Sequence, residues 1–65
     1  MPIEIDATLK VQLKEQRLRN LSAQWYEQEL NRVAYEANGR TQQAAEAVKL
    51  QQEIEVSYKA IYELN

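Results

Sequence analysis

From residue 7 onward the apolar residues return at steps of three and four, the repeat of a helix with one dry side. At about 100° per residue, Ala7, Val11, Leu18, Leu21 and Trp25 fall within one narrow sector. Tyr26, Leu30, Val33 and Ala37 continue that stripe, displaced around the helix in the sense opposite to strict heptads. An eleven-residue spacing, Val11–Ser22–Val33, describes the drift better and predicts a helix that is straight or slightly right-handed. The second half of the chain is more regular. Ala47, Ile54 and Ile61 occupy one core position and Leu50, Ser57 and Leu64 the other, a heptad seam flanked by Ala44, Gln51 and Tyr58. The pattern predicts helices over 7–37 and 42–64.

Between them stands Asn38-Gly39-Arg40-Thr41, with the only glycine of the chain. Asn and Gly accept the left-handed backbone that ends helices, and Thr41 is a good N-cap for the next one. A turn over 38–41 makes the helices antiparallel neighbours, so the expected fold is all-α: a two-helix hairpin, coiled-coil-like. One continuous helix is the competing reading, and it places Gly39 in a helix interior at about 1 kcal/mol. The hairpin core expected from the stripes is Val11, Leu18, Leu21, Trp25, Leu30 and Val33 against Ala47, Leu50, Ile54, Tyr58, Ile61 and Leu64. Small residues near the turn let the helices approach there, with Leu30 and Val33 over Ala44 and Ala47.

Residues 1–6 read as an extended lead-in. Pro2 disfavours helix, Ile3 and Ile5 alternate with polar residues, and Asp6 can cap the first helix. The first helix, about 46 Å long, outreaches the second, about 36 Å. The surplus carries Leu9, Lys10, Leu13 and Lys14. Opposite charges at four-residue spacing (Glu15–Arg19, Arg32–Glu36, Lys49–Glu53, Glu55–Lys59 and Lys59–Glu63) support helicity and solubility by a few tenths of a kcal/mol each.

Composition then narrows the function. A chain of 65 residues buries only about 60% of its unfolded surface and needs reinforcement. There is no Cys and no His, which removes disulfides and the usual structural zinc ligands. Self-association or docking on a larger assembly is what remains, so protein is the expected partner, as an oligomer or within a complex. The net charge of -2 disfavours nucleic acid and anionic membranes. Apolar runs are too short for a transmembrane segment or a signal peptide, which points to the cytoplasm or the inside of an assembled particle.

Three features are candidates for contact. Lys10, Lys14 and Arg17 form a basic stripe beside Arg19; a contact with an acidic partner or with phosphates competes there with a plain solvated face. Tyr26 and Tyr62 lie at the edge of the stripe, where a second hairpin would pack. Leu9, Leu13, Tyr35, Val48 and Val56 lie off the stripes, surface suited to neighbours. With Ile3 and Ile5, these give the expected partner-binding set Ile3, Ile5, Leu9, Lys10, Leu13, Lys14, Arg17, Tyr26, Tyr35 and Tyr62. Catalytic chemistry has no support: Ser22 and Ser57 lack a base, no glycine-rich phosphate loop occurs, and no cofactor is expected. The function expected is non-enzymatic. The first reading is a structural or assembly subunit supplying helical contacts, as in a virion or a bacterial multiprotein machine. The alternatives are a small regulatory adaptor or inhibitor of one protein, and an RNA-binding hairpin dimer.

Overall fold

The structure is a computed structural model and describes residues 6–64; the expectations for Ile3 and Ile5 fall outside the described residues. Helix α1 spans Ala7–Ala37 and helix α2 spans Thr41–Tyr62. Asp6 caps α1 as its side-chain chemistry predicts: its Oδ1 accepts the Leu9 N–H at 2.7 Å.

Between the helices the chain reverses through a Schellman motif. The Arg40 N–H donates to the Tyr35 carbonyl at 2.8 Å and the Gly39 N–H to the Glu36 carbonyl at 3.1 Å. Gly39 takes φ +71, the left-handed region that a side chain disfavours. The Asn38 side-chain amide donates back to the Ala34 carbonyl at 2.8 Å, satisfying another free end of the helix. The turn is one residue tighter than the expected one. Thr41 is already helical, Arg40 holds the N-cap position, and no side chain caps α2 there. The two arms of the Schellman motif are closed by Gly39 and Arg40, and the next helix starts directly after them.

The two helices pack along their length into a hairpin of 52 × 21 × 14 Å. The hairpin seam on α1 is Lys14, Leu18, Leu21, Trp25, Gln28, Arg32 and Tyr35, the half-buried and buried positions at alternating steps of four and three. On α2 it is Ala44, Ala47, Gln51, Ile54, Tyr58 and Ile61, Tyr58 at its exposed edge. Both rows have heptad spacing.

This corrects the expected core. Val11, Leu30 and Val33 on α1, and Leu50 and Leu64 on α2, are all exposed; Leu30 and Val33 keep about half their surface, 53% and 52%. Leu18, Leu21, Trp25, Ala47, Ile54 and Ile61 do lie in the seam. The eleven-residue stripe of α1 therefore does not face α2. Tyr35, expected off the stripe and free for a partner, instead closes the seam beside the turn. The physical reason is that three of the seven α1 seam positions are polar. Lys14, Gln28 and Arg32 are half-buried there, long side chains whose apolar stems can cover the partner helix while their polar heads find partners at its edge. An apolar pattern cannot register them.

Candidate functional site

Side chains that the sequence marks as chemical are distributed over four places. The first is the open end of the hairpin. The Lys14 ammonium donates to the carbonyls of Tyr62 at 2.9 Å and Leu64 at 2.7 Å. It also sits 5.8 Å from the centre of the Tyr62 ring, which stacks on Tyr58 at 6.2 Å and 12°. A cation at a helix C-terminus meets the negative end of the macrodipole and takes up its unpaired carbonyls. Helix α2 stops at Tyr62, short of the expected 64. Lys14 was expected to face a partner as part of the basic stripe; it is committed inside the hairpin. Lys10, Arg17 and Arg19 remain exposed.

The second place lies in the middle of the seam. Gln51 is 5% exposed, and its amide donates to the Trp25 carbonyl at 3.4 Å and to Glu29 Oε1 at 3.5 Å. Glu29 also accepts from Arg32 Nε at 2.7 Å, while Arg32 Nη1 reaches both Glu36 oxygens at 2.9 Å. The Arg32 hydrogen bond holds the Glu29 carboxyl below its ordinary pKa against the opposing effect of partial burial; the Arg32 charge and the Gln51 bond add to it. The two carboxylates in turn raise the Arg32 pKa, first through the hydrogen bond that Arg32 donates to Glu29. Of the five charge pairs expected from spacing, Arg32–Glu36 is closed among the described residues. Glu29–Arg32, at i,i+3, was not anticipated.

The third place is a shallow apolar groove on one flank, lined by Leu21, Ser22 and Trp25 from α1 and by Ile54, Glu55 and Tyr58 from α2. Trp25 Nε1 donates to Glu55 Oε2 at 2.9 Å across it, which leaves the indole face at the groove. The expected Glu55–Lys59 pair is not closed among the described residues. On α1, Val11, Ser22 and Val33 share this flank through their eleven-residue spacing, with Tyr26 at its outer edge. Tyr26 and Tyr62 are exposed, as a role in contacts requires.

The opposite flank is the fourth place. Gln24 and Gln28 face Leu50, Glu53 and Ser57 there. Further out, Leu13, Gln16, Arg17, Asn20 and Gln24 line a second, polar depression. Lys14 fixes the end of α2, so residues 7–13 of α1 project beyond it, and Leu9 and Leu13 stay exposed. Among the described residues, no helix is long and apolar enough to cross a membrane, and no group of acidic residues could hold a metal ion. No protein family, curated protein or solved structure matches the chain.

Proposed function

We propose that the protein is a structural or assembly subunit that supplies helical protein–protein contacts to a larger complex, formed with copies of itself or with other chains. The observation that carries this reading is how little the hairpin buries. Only Leu21, Ala44 and Ala47 among the described apolar residues are buried, while twelve large apolar residues are exposed on both flanks and on the overhang. The accessible surface of 5591 Å² exceeds the roughly 4,300 Å² of a monomer of this mass. The radius of gyration, 15.9 Å, likewise exceeds the roughly 11 Å of a globular chain this long. A two-helix layer has no second layer to cover its flanks, and association supplies one.

Light scattering across a concentration series, with helix content followed in parallel, tests the reading. Association that raises helicity is the expected result. So is a monomer of poor helicity, completed only by another chain. A stable, fully helical monomer at all concentrations would refute it.

The second reading is a small adaptor or inhibitor docking one protein, and it draws on the exposed Lys10, Leu13 and Arg17 beside the polar depression. It requires Lys10→Glu with Arg17→Glu to abolish capture of that partner while helix content is kept.

A further inference from the structure

The groove on the Trp25 flank has a mixed lining. Leu21 and Ile54 give it aliphatic surface, Trp25 and Tyr58 bring aromatic rings, and Glu55 adds a carboxylate. Its volume of about 350 Å³ suits one large side chain. Resting on the assembly reading above, we infer that this groove receives an arginine of a partner protein, with the guanidinium stacked on the Trp25 indole and paired with Glu55.

The carboxylate selects a cation. Glu55 Oε2 accepts the Trp25 N–H at 2.9 Å, which holds the carboxylate beside the ring and leaves Oε1 open to a donor. An indole that donates to an anion gains electron density over its face, where a cation is attracted. No cation of the described residues answers Glu55. Arg32 is paired with Glu29 and Glu36, and Lys14 is bonded to the carbonyls at the end of α2. Lys59, one turn along from Glu55, and Arg19, one turn back from Ser22, close no ion pair with it. The hairpin already uses the same chemistry next door: the Lys14 ammonium sits 5.8 Å from the centre of the Tyr62 ring, which stacks on Tyr58 at the groove.

The rest of the lining selects the shape of that cation. A guanidinium is flat, weakly hydrated and forked, so it can lie against an indole and donate from its edge to a carboxylate at the same time. An ammonium is a compact, strongly hydrated charge and satisfies one of these contacts at a time. The methylenes of an arginine stem match the aliphatic surface of Leu21 and Ile54. The flank around the groove says that the arginine is carried by a protein. Val11, Tyr26 and Val33 are exposed there, apolar surface that a free amine would leave open and a docked helix would cover. An arginine or aromatic anchor in a pocket, ringed by weaker contacts, is the form of an interface hot spot.

Trp25 is the only tryptophan of the chain, so its fluorescence reports the groove directly. The probes are synthetic helical peptides, alike except at one central position flanked by leucines, which carries arginine, lysine, citrulline (the shape of arginine without its charge) or glutamate. The arginine peptide should shift the Trp25 emission and bind tightest, the lysine peptide should follow, and the citrulline peptide should bind about tenfold more weakly than arginine. Glu55→Gln keeps an acceptor for the Trp25 N–H and removes the charge. It should weaken the arginine peptide about tenfold and leave the citrulline peptide unchanged, with helix content kept. Lys59→Met removes a competing cation and should tighten the arginine peptide, whereas Glu53→Gln, on the opposite flank, should not alter its binding. Equal affinity for arginine and citrulline, in a protein that associates, overturns the arginine site and leaves the assembly reading intact. So does a Trp25 emission that follows the protein's own association and ignores the peptides, since a second copy then fills the groove. A stably helical monomer that binds none of the peptides overturns both.

Discussion

Lys14 and Tyr62 meet twice, once through the ammonium and the backbone carbonyl at 2.9 Å and once through the ammonium and the ring at 5.8 Å. The pair joins residues 48 positions apart and closes the hairpin at the end opposite its turn. Helix α2 has Lys59 as its only basic residue in the last turn, so Lys14 supplies much of the positive charge there from across the seam. Lys14→Met keeps the stem and removes the charge. It should lower stability by about 1 kcal/mol and release the Glu63 and Leu64 amides to faster hydrogen exchange. Lys14→Arg should keep most of the protection. Unchanged exchange in Lys14→Met would mean that the contact adds nothing.

Leu21 and Leu50 separate the two possible seams. Leu21 is 7% exposed in the seam, whereas Leu50 stands outside it at 44%. Leu21→Ala should destabilise by about 2 kcal/mol or more, because it opens a hole that two helices cannot fully collapse. Leu50→Ala should stay within about 0.5 kcal/mol. Urea unfolding at one fixed protein concentration compares them, since association shifts the midpoint. Equal losses would restore the seam that the apolar pattern alone suggests.

That comparison shows where the sequence was legible. Asp6, the Asn38-Gly39 reversal and the long helices follow from local chemistry, and local chemistry is visible in a chain. The seam of α2 was half visible. Its Ala47, Ile54 and Ile61 row is correct, but the second row is Ala44, Gln51 and Tyr58 and not Leu50, Ser57 and Leu64. Both rows fit a heptad, and hydrophobicity favoured the leucines. Which flank faces inward depends on the partner helix, where Gln28 and Arg32 hold seam positions that no apolar pattern marks. The charge of Lys14 points to solvent or a partner in the sequence, since the carbonyls it meets belong to a distant helix end. Tyr35 is hidden for a related reason: it is half-buried next to the turn, where its carbonyl accepts the Arg40 N–H, and not on the apolar stripe.

Gly39 should tolerate no side chain cheaply, although a Cβ there would meet nothing within 4 Å. The penalty comes from φ +71 and not from crowding. Gly39→Ala should therefore cost about 1 kcal/mol, roughly a 4–8 °C fall in melting temperature for a domain of this size. Gly39→Asn should cost less, since Asn enters the left-handed region more readily. A Gly39→Ala protein that melts unchanged would exclude the Schellman turn and favour a continuous helix.

Glu29 gives the hairpin a pH dependence whose direction follows from its partners. Its carboxyl pKa is lowered in the folded chain, chiefly by the Arg32 hydrogen bond, so the unfolded chain binds the proton more readily. The stability from this group is complete above the ordinary carboxylate range, near pH 4.3 and upward, and is lost as pH falls through the lower folded value. Urea midpoints from pH 7 to pH 2.5 should hold level in the upper part of the range with respect to this group and then fall. Glu29→Gln keeps a side-chain oxygen that can accept from Arg32 and Gln51 but cannot titrate. Its midpoint should decline less steeply below about pH 4 than that of the parent chain. The difference between the two curves isolates Glu29 from the other carboxylates, which titrate in both proteins. Curves that run parallel down to pH 2.5 would show that the Arg32 bond does not survive in solution, and that the polar centre of the seam is held by Gln51 alone.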